Sequence, residues 1–344
     1  AMDLATGRQQ VKLQGDQLNL DRYLPPAVEE SQTTDASPAT AGERYPKTPL
    51  LPLEVLRGLN FDVQLGLGEL IASGLRLSEL KLAAKANSGL IEVSQIDGKL
   101  YGGGFSNSAT LDVRQEPIRS VVQKRVTSIQ LGGLLKDLAD VDKVAGTFST
   151  EGRYTTHGNS IHAMVNSLTG SGTIRLKNGQ LKGVNLVDSL CEGIRQVKGL
   201  PESDGTSPDY TEFSNLSATL AITNGVVSND DLAASMVAMG LTGRGKVNLP
   251  ASEFDYGLDL TVLQQLQGEK CQIEEKLHNL AFPVRCKGSF DDEPAKLCGP
   301  DTKRMKQVVK DLFKRDAGDK VKQKLDEKLK DNDKVKSVLQ GLFN

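Results

Sequence analysis

The chain has 344 residues, 38% hydrophobic and 25% charged, enough to bury a core in one or two domains. A formal net charge of -2 exerts no global pull on nucleic acid, and 4% aromatics with no Trp leave no base-stacking platform. No run approaches the roughly eighteen apolar residues of a membrane-spanning helix, and no signal-peptide pattern opens the chain.

Ala1 ahead of Met2 reads as a tag-cleavage scar, so the chain is expected to be a fragment of a longer protein. Residues 1–24, with "VKLQGDQLNLDRYL", read as a strand at the end of a preceding β unit. Residues 25–50, rich in Pro, Ser, Thr and Ala, offer little apolar area against their ordering entropy and read as a flexible linker or long loop. From residue 51 to 300 almost everything reads as strands. In "LNFDVQLGL", Leu59, Phe61, Val63, Leu65 and Leu67 share one face, and Asn60, Asp62 and Gln64 the other. "FSNSATLDV" and "FDYGLDLTV" are one-sided in the same way.

Asp97-Gly98, Asn178-Gly179 and Asn224-Gly225 supply the positive φ values that tight hairpins require, and Leu249-Pro250-Ala251-Ser252 joins two further strands. Two helices are expected to interrupt the meander. "SIQLGGLLKDLADV" carries Leu131, Leu134, Leu135 and Leu138, and "NLVDSLCEGIRQV" carries Leu186, Leu190, Ile194 and Val197 on one face. The predicted class is mainly β (α+β): a long curled antiparallel sheet or groove with short helices and an amphipathic helical C-terminal tail.

That tail covers residues 301–344, with 13 Lys and Arg against 8 Asp and Glu. Met305, Val308, Val309, Leu312 and Phe313 follow i, i+3, i+4, i+7, i+8 spacing, as do Val335, Val338, Leu339, Leu342 and Phe343. Such stripes suit a cap on the end of the sheet, a partner, or an anionic leaflet.

The sequence offers little to catalysis. His157 and His162 lie four apart without a third metal ligand in register, and "GLTGRGKVN" leads into a strand, not the helix of a dinucleotide loop. No nucleophile elbow or phosphate loop occurs, so neither an enzyme nor a cofactor is expected. Cys191, Cys271, Cys286 and Cys298 form an even set without a CxxC. A turn near Asp292 would set Cys286 opposite Cys298, the first choice for a bridge. Other pairings stay open, as do four reduced, packed cysteines.

"GSGTIRLKNGQLKGVNLVDSL", "FSNLSATLAITNGVVSNDDL", "LTGRGKVNLPASEFDYGLDL" and "FPVRCKGSFDDEPAKLCGPD", in this order, resemble the C-terminal region of the AsmA family, part of the repeating β-groove group that includes TamB. "LPLEVLRGLNFDVQLGLGEL" and "IDGKLYGGGFSNSATLDV" extend the resemblance upstream. It implies a periplasmic protein of Gram-negative bacteria, tethered to the inner membrane by an anchor outside this chain and serving outer-membrane lipid homeostasis. The implied partners are phospholipid or another lipid and an outer-membrane protein. An aliphatic face with this pattern suits either a closed core or an open trough, and the resemblance favours the trough. Ile174, Leu176, Leu220, Ile222, Tyr256, Leu258 and Leu260 are its expected lining. The competing expectation is a non-catalytic assembly or scaffold factor for outer-membrane proteins.

Overall fold

The computed structural model describes residues 9–23, 44–183, 185, 209–236, 239–263, 279–292 and 297–315. Fourteen strands form one sheet: β1 (Gln9–Asn19), β2 (Asn60–Ala72), β3 (Leu75–Asn87), β4 (Leu90–Leu100), β5 (Gly103–Asp112), β6 (Arg119–Gln130) and β7 (Val144–His157), then β8 (Thr169–Lys182), β9 (Tyr210–Thr223), β10 (Val226–Met236), β11 (Met239–Asn248), β12 (Glu253–Val262), β13 (Ala281–Ser289) and β14 (Cys298–Pro300). Their order in space is their order in the chain, and β1 does not meet β14, so the sheet curls without closing.

Every pair from β2 onward is antiparallel. β1 departs from the antiparallel expectation by running parallel to β2, with Leu13 opposite Leu65. A parallel pair needs a crossover of a dozen or more residues, which the segment 20–59 supplies. Residues 1–24, read as the end of a preceding unit, thus place β1 as an edge of this same sheet.

Four of the described turns are two residues long and left-handed. Ser73-Gly74, Ser88-Gly89, Tyr101-Gly102 and Asn224-Gly225 all have positive φ, the geometry that matches the twist of the strands they join. Asn224-Gly225 and Leu249–Ser252 are turns as expected. Asp97-Gly98 and Asn178-Gly179 are not: both lie inside strands, β4 and β8. Asn178 keeps its positive φ, but in a bulge against β7, where the register shifts between the pairs Thr147 with Lys177 and Ala145 with Gln180.

Helices line the two ends of the strands. α1 (Leu53–Gly58) and α3 (Ile161–Ser167) sit at one end, α2 (Leu131–Ala139) and α4 (Thr302–Arg315) at the other. α2 is one of the two expected helices; the other, around Cys191, lies outside the described residues. α3 begins where Ser160 Oγ accepts from Ala163 N at 3.1 Å. From Arg44 to Pro52 the chain straps the first end. Arg44 pairs with Asp291, Pro46 O accepts from His162 N, and the Asn159 side chain bonds both N and O of Leu51. Arg57 of α1 donates to Val113 O at 2.9 Å and pairs with Glu116, which closes the β5–β6 loop over Val113 and Ile118, both fully buried.

Candidate functional site: a continuous apolar face

Residues paired across neighbouring strands share a face of the sheet, so the register traces each face directly. One face carries Leu13, Leu65, Leu82 and Ile96 across β1 to β4. It continues through Ala109, Val122 and Tyr154 to Gly170 and Ile222. From there it passes through Val227, Val247 and Phe254 to β13. The opposite face carries the charges, among them Lys85, Glu92, Arg153 and Arg175. No second sheet covers the apolar side among the described residues. Even so, Ala86, Leu176, Ala218 and Ile222 are buried. Where the curl opens the face is bare: Leu13 is 54% exposed and Val122 38%.

Glycines and aromatics shape this face in pairs. A β-carbon on Gly98 would stand 2.6 Å from Phe105 Cζ, and one on Gly179 1.9 Å from Phe213 Cε2. Each ring fills the space its cross-strand partner leaves empty. This is why the two dipeptides read as turns are strand residues. Tyr154 does the same over Gly152 and Gly172, and Tyr256 over Gly243 and Gly245.

All seven expected lining residues fall on the apolar face. Ile174 pairs with Ala218, Leu176 with Leu216 and Gly170 with Ile222, which sets Leu220 beside them opposite Gly172. Tyr256, Leu258 and Leu260 follow on β12. Leu260 belongs to a closed cluster with Met236, Met239, Val262, Val284, Cys286 and Met305 of α4, against which Leu258 and Tyr256 pack. The face is therefore packed against protein near β14, while Leu13 on β1 and Val122 on β6 stay exposed.

Polar groups on this face are few. Near β12, Asn229 is buried in a bulge of β10, donating to Thr219 O at 2.9 Å and to Asp231 at 2.8 Å, while the Tyr256 hydroxyl donates to its Oδ1. Burial pushes the Tyr256 hydroxyl pKa up. At mid-sheet, Lys124 lies in phase with Val122 and Val126, between Asn107 on β5 and Gly152 on β7. Both Lys124 and Tyr154 were missed in the sequence reading, although the phase of "VVQKRV" marks the lysine.

Cys286 and Cys298 are joined by a disulfide, bridging β13 to β14 with a sequence separation of 12; Cys191 and Cys271 lie outside the described residues. Met305 of α4 is buried and Val308 packs beside it. Val309, Leu312 and Phe313 also fall within α4, whereas Val335, Val338, Leu339, Leu342 and Phe343 lie outside the described residues. Arg304 anchors the helix by donating to Asp259 at 2.8 Å.

A cavity of 680 Å³ opens on the charged face over β3 to β7, lined by Lys85, Glu92, Thr110, Arg119, Gln123 and Arg153 among others. His157 ends β7 and His162 lies on α3, and no group of three His, Cys, Asp or Glu is placed to hold a metal among the described residues. No described helix is long and apolar enough to cross a membrane.

An open, sequentially paired sheet with one mainly apolar face running across its strands defines a β-groove protein. The AsmA family profile matches residues 5–232, and the chain belongs to the AsmA family. It is 23% identical over 290 residues to Protein AsmA of Escherichia coli (strain K12), across 82% of this chain and 46% of that protein. The chain thus spans about half the length of that relative. No solved structure matches it.

Proposed function

We propose that this chain shields or conducts phospholipid along its apolar face, in the periplasm between inner and outer membranes, and so supports outer-membrane lipid homeostasis. In this reading an anchor elsewhere in the full-length protein tethers it to the inner membrane. The observation that carries the proposal is the continuity of the apolar face through a single sheet, over which no second sheet lies among the described residues. An acyl chain of about sixteen carbons costs on the order of 13 kcal/mol to expose, at about 0.8 kcal/mol per methylene. Aliphatic side chains offset that cost by contact alone, with no catalytic group.

The test is lipid extraction and native mass spectrometry of the purified chain, with photo-cross-linking to lipid. Wild type should carry phospholipid, and Ile222→Asp or Leu220→Asp should abolish cross-linking while Ser217→Asp on the opposite face leaves it intact. Lipid-free wild type, or undiminished cross-linking in folded Ile222→Asp, would reject the reading. Unfolding of both face variants would instead mark a closed core.

β1 supports a second reading, an assembly factor for outer-membrane proteins. It is an eleven-residue strand, mostly exposed and last in the sheet among the described residues, and a sheet edge is a template for strand addition. Binding of extended outer-membrane-protein segments to a lipid-free chain would favour it.

A further inference from the structure

Between β3 and β9, Lys124 is the single side chain of fixed charge on the apolar face. Val122 and Val126 flank it on β6, and no ion pair engages it among the described residues. Covering it with acyl chains alone would desolvate an unpaired ammonium, at a cost of several kcal/mol. A face meant only for hydrocarbon is impaired by this residue.

Glycines and one phenol shape the floor beside Lys124. Its partner on β7 is Gly152, itself paired with Gly172 on β8, so two adjacent positions beside the lysine carry no side chain. The Tyr154 hydroxyl stands over this pair, where β-carbons on Gly152 and Gly172 would lie 2.4 and 2.3 Å from it. That hydroxyl has no hydrogen-bond partner among the described residues, and burial pushes its pKa up, so it stays a donor. Across Gly152, Lys124 thus faces a phenol that has no acceptor, on an otherwise aliphatic floor.

We propose that Lys124 and Tyr154 bind the phosphate of a lipid headgroup, with the acyl chains lying over Val122, Val126 and Phe105, and that the site selects net-anionic lipids over zwitterionic ones. The phosphate's non-bridging oxygens accept from both groups. Selection follows because no carboxylate shares this part of the face to receive a headgroup ammonium. This inference rests on the lipid-conduit reading and assigns its substrate class.

The purified full chain is incubated with vesicles of equimolar phosphatidylglycerol and phosphatidylethanolamine and re-isolated, and the bound lipids are quantified by mass spectrometry. Wild type should enrich phosphatidylglycerol about fivefold, the effect of one lysine at an anionic surface. Lys124→Met and Lys124→Gln should bind as much total lipid with no enrichment, Tyr154→Phe should lose part of it, and Lys124→Glu should invert it. Lys124 is exposed, so the Lys124 variants should keep the wild-type circular dichroism and melting temperature.

Enrichment that persists in both neutral variants would overturn the proposal, since the lysine then merely extends into water. Unselective binding by wild type would overturn it while leaving the conduit standing. Binding of no lipid by any form would overturn the conduit and this site together. Millimolar inorganic phosphate should leave lipid binding unchanged; displacement of lipid by phosphate, dependent on Lys124, would make this a free-anion site and overturn the headgroup assignment.

Discussion

Phe213 occupies the volume that a side chain on Gly179 would need. Gly179→Ala should therefore destabilise the protein by about 1–3 kcal/mol, the usual cost of overpacking. Phe213→Ala in the same background should recover part of that loss, a coupling that urea denaturation of the double-mutant cycle would reveal. A pH effect belongs to this scale too. The Arg114 guanidinium, at 2.8 and 2.6 Å from the two oxygens of Asp112, holds that carboxyl down to about 2. Between that value and the ordinary carboxylate range the unfolded chain binds the extra proton, so this contribution is full above about pH 4 and lost as pH falls toward 2. Melting curves across that interval should show a smaller acid loss in Asp112→Asn than in wild type. The residue scale is also where the sequence misleads. Asn178-Gly179 has the composition and positive φ of a turn, and nothing local reveals that Phe213 sits opposite. The shared face of the seven expected lining residues was legible because alternation fixes a face regardless of partner. Lys124 was equally legible by phase, yet its meaning depends on the paired glycines of two other strands.

Among the elements, β14 is the weakest by length, with only three residues paired to β13. The Cys286–Cys298 disulfide compensates by closing a short loop across that pair. Cys286→Ser with Cys298→Ser should cost about 3 kcal/mol in the chain-entropy account, measured as a shift in urea midpoint, and reduction of wild type should reproduce it. α4 follows directly, capped by Asp301, whose Oδ1 accepts from Lys303 N and Arg304 N at 3.1 Å. With Met305 already buried, the helix should stay docked in water. Its lysines would each add about 1 kcal/mol near an anionic surface, screened by salt. Liposome flotation should accordingly show a salt-sensitive increment in the full chain over a truncation at Asp301; equal flotation of the two would leave the tail a structural cap. The start of this helix was legible from its i, i+3, i+4 stripe. The parallel pairing of β1 was not, because a strand's partner is set by the crossover and not by its own alternation.

At the scale of the molecule, the apolar face joins strands that each contribute only three to five side chains to it, so its continuity is a property of the register, not of any one segment. Alternation in the sequence shows which residues are hidden from water but not what hides them. Only the single-layer topology separates an uncovered floor from a closed core, and α4 with the Met239 cluster shows that one end is closed by protein. The strict strand order has a further consequence. From β2 to β14 each strand bonds only its chain neighbours, so the sheet behaves as a one-dimensional array whose stability is a sum of unit and nearest-neighbour terms. Such an array frays from its free ends. The disulfide pins the β14 end, while β1 is held across a forty-residue crossover by one parallel partner. Native-state hydrogen exchange should therefore show a gradient of protection rising from β1 toward the interior, without a matching gradient at the oxidised β14 end, and reduction should create the second gradient. Cooperative exchange of the whole sheet at one rate would contradict this. The same arithmetic lets hairpins be added or removed along the array without disturbing distant strands, so the length of the groove can vary independently of its cross-section.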